Sequence, residues 1–134
     1  MECRINLSKT NYKEELEYSV LDSFYFSTIN SIYEKYCAYK KFKEYIPLLY
    51  KELENSELLG YYDNNVLVAF SIINIYDKHV KAEQFAWDYA NPSLRLGIRS
   101  LKTECARYKR LGYDYLYLGE YHKYKEQFDG FELL

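Results

Sequence analysis

Residues 66–76, Val-Leu-Val-Ala-Phe-Ser-Ile-Ile-Asn-Ile-Tyr, are apolar at both odd and even positions. A strand sends alternate side chains to opposite faces, so a run that is apolar on both must be covered on both. Val68, Phe70 and Ile72 would take one face, and Leu67, Ala69 and Ile73 the other. Such a strand belongs in the interior of a sheet with helices on both sides, which predicts an α/β fold.

The neighbouring segments fit around it. Residues 58–62 precede it across Asp63-Asn64-Asn65, residue types that tolerate the positive φ of a tight turn, so a hairpin is expected. Asp77-Lys78-His79 makes a second turn, and residues 80–89 return as a third antiparallel strand with Phe85, Trp87 and Tyr89 on one face. Upstream, residues 3–7 alternate as a short first strand. Ile29, Ile32, Tyr33, Tyr36 and Cys37 recur three or four apart, which predicts a helix over 27–40. A second helix is expected over 42–53, with Pro47 at its start or kinking it. Downstream, Asn91-Pro92-Ser93 caps a helix whose apolar stripe is Leu94, Ile98, Leu101, Cys105 and Tyr108, closed by Gly112. Residues 113–118 form a strand, and residues 121–128 a short final helix before an extended tail.

One domain over residues 1–134 accommodates this order, and a chain of that length buries a core without disulfides or metal. Its 49% apolar and 28% charged residues exclude a disordered chain. The net charge of −2 supplies no global field for nucleic acid, so an RNA contact has to come from a local patch. Cys3, Cys37 and Cys105 are odd in number and far apart, which predicts reduced thiols and a cytoplasmic location. No basic-then-apolar leader opens the chain and no apolar run approaches the ~18 residues of a span, so no membrane association is expected. His79 and His122 have no second ligand at metal spacing, and no metal site is expected. The 18 tyrosines fit either a wet aromatic pocket or a Tyr-rich core rim.

The order of strand, two helices, three antiparallel strands, helix, strand and helix is similar to that of GNAT acyltransferases, short of their usual last hairpin. The predicted fold class is therefore a GNAT-like mixed, mostly antiparallel sheet with helices on both faces. Within that class, residues 60–134 resemble the C-terminal transferase domain of arginyl-tRNA–protein transferases and the related bacterial leucyl transferases. The resemblance is carried by Trp87-Asp88-Tyr89, Leu94-Arg95-Leu96-Gly97, Tyr115-Leu116-Tyr117-Leu118-Gly119, Lys123-Tyr124-Lys125 and Phe131-Glu132-Leu133-Leu134. Ile32-Tyr33-Glu34-Lys35-Tyr36 resembles an earlier helix of the same domain. The family's N-terminal cysteine-cluster domain has no counterpart in these residues. The segment between Gly119 and Lys123 is shorter than in the family and lacks its Cys-Pro-Lys-Met-like sequence, and typical members continue beyond residue 134.

The resemblance implies transfer of an aminoacyl group from a charged tRNA to a protein or peptide amine. Acetyl-CoA is the alternative donor, although the usual Gln/Arg-x-x-Gly-x-Gly/Ala loop is not met: Leu94 and Arg99 occupy its outer positions around Gly97. In such folds the donor's phosphates meet the N-terminus of the central helix, where free N–H groups and the helix dipole converge. Arg95, Arg99, Lys102 and Lys109 form a basic stripe on that helix, beside Arg107 and Arg110, and would dock the acceptor end of a tRNA. Trp87, Tyr89 and Tyr117 would stack on a terminal base or an aminoacyl side chain. The transfer needs a base for the acceptor amine, for which Asp88, Glu83 and Glu120 are the candidates, and Tyr121 or Tyr124 would protonate the leaving group. The third reading is a GNAT-like module without catalysis that binds a partner through its aromatic face. A homodimer would cover a sheet edge left open by the short final segment.

Overall fold

The computed structural model describes residues 1–40, 55–88 and 94–134. The helix expected over 42–53, Tyr89 and the Asn91-Pro92-Ser93 cap lie outside the described residues. Seven strands form one sheet: β1 (Glu2–Asn6), β2 (Tyr18–Leu21), β3 (Ser56–Asp63), β4 (Val66–Ile75), β5 (His79–Trp87), β6 (Tyr115–Glu120) and β7 (Phe131–Leu133). Their spatial order is β2-β3-β4-β5-β6-β1-β7. Among the described residues two helices, α1 (Phe26–Lys40) and α2 (Leu96–Arg110), cover it, and a 3-10 helix, Lys123–Gln127, replaces the final helix expected at the C-terminal end.

The doubly apolar run is β4, buried from Val68 to Ile73. Phe70 and Ile72 face α1, where they meet Ile29 and Ile32 with Leu58 and Ala86. Ala69 and Ile73 face α2 with Leu59, Tyr61, Cys105 and Tyr108. Asn64 and Asn65 both take positive φ (50° and 66°) in a two-residue turn, the geometry whose twist matches a hairpin. Tyr18–Leu21, a segment for which the sequence pattern predicts no element, pairs with β3 from Tyr18↔Tyr61 to Leu21↔Leu58 and extends the sheet. The tail also joins the sheet, as β7 pairs with β1. There Gly130 adopts φ +75°, and an added Cβ would lie 2.4 Å from the Asn6 carbonyl oxygen.

Every strand pair is antiparallel except β5–β6. That pair stays in register only from His79↔Tyr115 to Lys81↔Tyr117. Beyond it β5 runs on to Trp87 and β6 to Glu120, so the two strands part and leave a gap in mid-sheet. Opposite Ile72 and Ile73 a β-bulge inserts one residue into β5 at the start of the gap, with Gln84 opposite Ile72 and Ala82 opposite Ile73. Glu83 is the extra residue.

Candidate functional site

The gap between β5 and β6 opens into a cavity of about 400 Å³. Because it passes between parted strands, it is lined from both faces of the sheet. Tyr36 and Lys40 come from α1, and Gly97, Ile98, Leu101 and Glu104 from α2. Trp87 forms an aromatic wall, its ring 5.2 Å from Tyr36 in an edge-on arrangement and 5.3 Å from Tyr39. Lys40 Nζ stands 5.7 Å from both the Tyr36 and Trp87 rings, within cation–π range. Gly97 sits where α2 begins, and a Cβ there would meet nothing within 4 Å. Arg95, just before the helix, holds a left-handed conformation (φ 51°, ψ 46°), which is costly for a residue with a side chain.

Glu104 is the unexpected member. Its residue is 3% exposed, yet it borders the cavity from the third turn of α2. Tyr61 from β3 donates its hydroxyl to Oε2, and Ser71 from β4 donates to the same oxygen at 2.7 Å. Among the described residues nothing donates to Oε1. Burial pushes the carboxyl up to about 7, against the two hydroxyl donors that favour its anion. Burial and the adjacent carboxylate hold Tyr61 well above the ordinary phenol range, so it remains a donor. A carboxyl balanced near neutrality, fixed by two hydroxyls and open on one oxygen, is equipped for proton transfer. The sequence carried a faint signal of it. Glu104 falls within the apolar stripe, three residues after Leu101, beside Cys105 and four before Tyr108.

Of the residues expected at the site, Glu83, Trp87, Gly97 and Tyr124 line the cavity. Glu83 is bulged outward and exposed, and its carboxylate accepts a bond from Asn74 at 3.0 Å. Tyr124 is mostly exposed at the rim, its ring stacked with that of His122. Asp88 lies beside α1, paired with Lys35 Nζ at 3.3 Å. Glu120 ends β6 in the open, and the Tyr121 hydroxyl donates to Glu126. Tyr117 points to the opposite face from Leu118. There its hydroxyl accepts a bond from Arg4 at 3.0 Å and its ring meets His79 at 4.8 Å. None of Asp88, Glu120, Tyr121 or Tyr117 lines the cavity among the described residues.

Much of the basic stripe is tied to the chain itself. Arg99 pairs with Glu15 at 3.1 Å and Arg110 with Glu14 at 2.8 Å. Lys109 donates to the Thr10 carbonyl, and Lys102 lies 5.6 Å from the Tyr12 ring. Arg107 is held by Glu57 at 3.0 Å and by the Tyr18 hydroxyl at 3.2 Å. These bonds clamp residues 10–18 and β3 onto α2. Arg95 is exposed at the helix start. Among the described residues no three His, Cys, Asp or Glu side chains converge as metal ligands, and no helix is long and apolar enough to cross a membrane.

Solved structures share this fold. A protein described as the C-terminal domain of a lysylphosphatidylglycerol synthetase from Agrobacterium fabrum superposes with a TM-score of 0.69 at 10% identity, over 88% of this chain and 45% of that one. L-PGS from Bacillus licheniformis gives 0.66 at 13% identity, again over 88% and 45%. A protein assigned to the GNAT acetyltransferase family from Novosphingobium aromaticivorans gives 0.67 at 12% identity, over 99% and 59%. The chain thus spans between about half and three-fifths of these proteins. No curated protein sequence matches it. Residues 17–134 do match a protein family, described as the C terminus of arginine-tRNA-protein transferase, and the chain belongs to that family.

Proposed function

We propose that this chain moves an aminoacyl group from a charged tRNA to the amine of a protein or peptide. The observation that carries the reading is the buried, half-free carboxylate of Glu104 facing a cavity with aromatic walls at the strand gap. Family membership supports this donor class, since the family is described as the C terminus of arginine-tRNA-protein transferase. The terminal adenosine and the aminoacyl group would enter against Trp87 and Tyr36, because any base or apolar side chain stacks on such a surface. The start of α2, with exposed Arg95 and open Gly97, would receive the last phosphates. Glu83 and Tyr124 also line the cavity while Asp88, Glu120 and Tyr121 do not, and Glu104 takes precedence over them as the base because it is buried at the cavity wall with one oxygen open and its carboxyl is pushed up to about 7.

The chemistry follows from that assignment. The acceptor nitrogen adds to the ester carbonyl carbon while its proton passes to Glu104 Oε1. The adduct collapses, breaking the bond to the ribose oxygen, and Glu104 returns the proton to that oxygen. The products are an amide and a free ribose hydroxyl, with Glu104 restored.

The test supplies the purified chain with a pool of labelled aminoacyl-tRNAs and a peptide library of varied N-termini, beside a ribonuclease-treated control and a labelled acetyl-CoA arm. Ribonuclease-sensitive incorporation is expected, and it identifies the amino acid donated. Label taken only from acetyl-CoA would replace the donor. Label from neither, with the protein folded, would leave a non-catalytic module.

A further inference from the structure

Lys125 is 9% exposed, an environment a lysine rarely occupies without partners. Its partners are two main-chain oxygens: Nζ donates to the Leu118 carbonyl at 3.0 Å and to the Glu120 carbonyl at 2.6 Å. The availability of these oxygens follows from the parting of the strands. The Gly119 carbonyl faces β1, where it accepts the Cys3 thiol at 3.7 Å. Gly119 takes φ +74° where β6 bulges against β1, and the carbonyls on either side of it bond Lys125 at the edge that borders the cavity. That edge has lost its neighbour, because β5 leaves β6 after Tyr117. The 3-10 helix Lys123–Gln127 therefore delivers an ammonium to the place a strand would otherwise fill.

Satisfying two carbonyls does not require a charge. A glutamine-like amide offers two N–H donors, and burying a cation costs several kcal/mol that a neutral donor avoids. An ammonium has three protons, and two are engaged. Lys125 borders the same cavity as Glu104, and apart from the Tyr124 ring, 6.0 Å from Nζ, neither a third hydrogen-bond acceptor nor a carboxylate pairs with Nζ among the described residues.

We propose that Lys125 is a catalytic residue whose third N–H holds the oxyanion formed when the acceptor amine adds to the acyl carbonyl. The proposal rests on the acyl-transfer reading of the site but not on the donor, since an ester and a thioester pass through the same tetrahedral adduct. The charges balance at each stage. Before attack the cavity holds one carboxylate and one ammonium. After attack Glu104 carries the amine's proton, and the new negative charge sits on the carbonyl oxygen beside Lys125. Collapse re-forms the carbonyl, breaks the bond to the leaving oxygen or sulfur, and sends the Glu104 proton to that atom. Lys125 keeps its protons throughout and acts by its field and its hydrogen bond.

The experiment compares the full chain with its Lys125→Met and Lys125→Arg variants in single turnover at saturating donor, using whichever of charged tRNA or acetyl-CoA the parent accepts. Donor affinity and thermal unfolding are measured in parallel. Loss of an oxyanion donor lowers the rate by about 100- to 1,000-fold. That loss is expected for Lys125→Met with donor affinity within about threefold of the parent, and partial recovery is expected for Lys125→Arg. A folded Lys125→Met chain that turns over at the parental rate overturns the proposal. A second measurement needs neither turnover nor a stable methionine variant. Methylphosphonate, a stable tetrahedral oxyanion, is titrated into the ¹⁵N-lysine-labelled parent while the Lys125 ammonium resonance is followed. A saturable shift of that resonance is expected, and its absence overturns the proposal. If the parent accepts neither donor, the acyl-transfer reading fails, and the titration alone decides whether Lys125 presents its proton to an anion.

Discussion

Glu104→Gln keeps the shape of the side chain and an oxygen for Tyr61 and Ser71, but removes the charge. In the folded protein this carboxyl lies near 7, against 4.5 for the unperturbed group. At about 1.4 kcal/mol per pH unit, that difference corresponds to about 3 kcal/mol. The sign follows from proton uptake. Between 4.5 and 7 the folded state binds more protons at this site than the unfolded state, so stability falls as pH rises. The contribution of protonated Glu104 is fully present below about 4.5 and is lost as pH rises through about 7. The glutamine variant lacks this slope. Urea unfolding of both proteins from acid to mildly alkaline pH should show the variant gaining about 3 kcal/mol on the parent across that window. Transfer activity should move the other way. The parent's rate rises through pH 7 as the base ionises, and the variant loses about 10²- to 10⁴-fold at every pH. Stability curves that stay parallel from pH 5 to 8 would refute the burial argument. An unaltered rate in the variant would refute Glu104 as the base.

Trp87→Ala removes the wall on which Tyr36 and Tyr39 close, and should weaken donor binding by about tenfold or more, read as KM with kcat less affected. Glu57→Gln takes the anion from Arg107, whose Nε has no hydrogen-bond partner among the described residues, and should cost about 1–3 kcal/mol in urea unfolding. Gly130→Ala forces a Cβ onto the Asn6 carbonyl at positive φ and should cost about 2 kcal/mol or more, with loss of amide protection in β7.

The fold was readable where the pattern is local and periodic. The run in β4 shows its two-sided burial in its own residues, and Asn64-Asn65 shows its turn in its own φ preference. Tyr18–Leu21 was not readable, because Tyr-Ser-Val-Leu is too short to alternate and acquires strand geometry only from β3 beside it. The same holds for the basic stripe of α2. Arg99, Arg107 and Arg110 look like a docking surface as letters, but their partners Glu15, Glu57 and Glu14 lie 50 or more residues away in sequence. A long-range ion pair leaves no trace in the spacing of either partner.

The two buried charges of the candidate site, Glu104 and Lys125, fail to show in the sequence for a related reason. The candidates drawn from the strand ends, Asp88 and Glu120, are carboxylates whose neighbours in sequence mark a turn or a strand terminus, and such places are exposed. Glu104 has the opposite setting. Its position on α2 turns it inward, and only the arrival of Tyr61 and Ser71 from two other strands makes a buried carboxylate tolerable there. Lys125 is tolerated by the same logic, since the oxygens that hold it exist only because β5 and β6 part. Both charges line one topological feature, the gap left by the loss of pairing beyond Lys81 and Tyr117. Glu104→Gln is expected to gain stability above pH 7 and lose rate, because the gap keeps a charge that folding alone would discard.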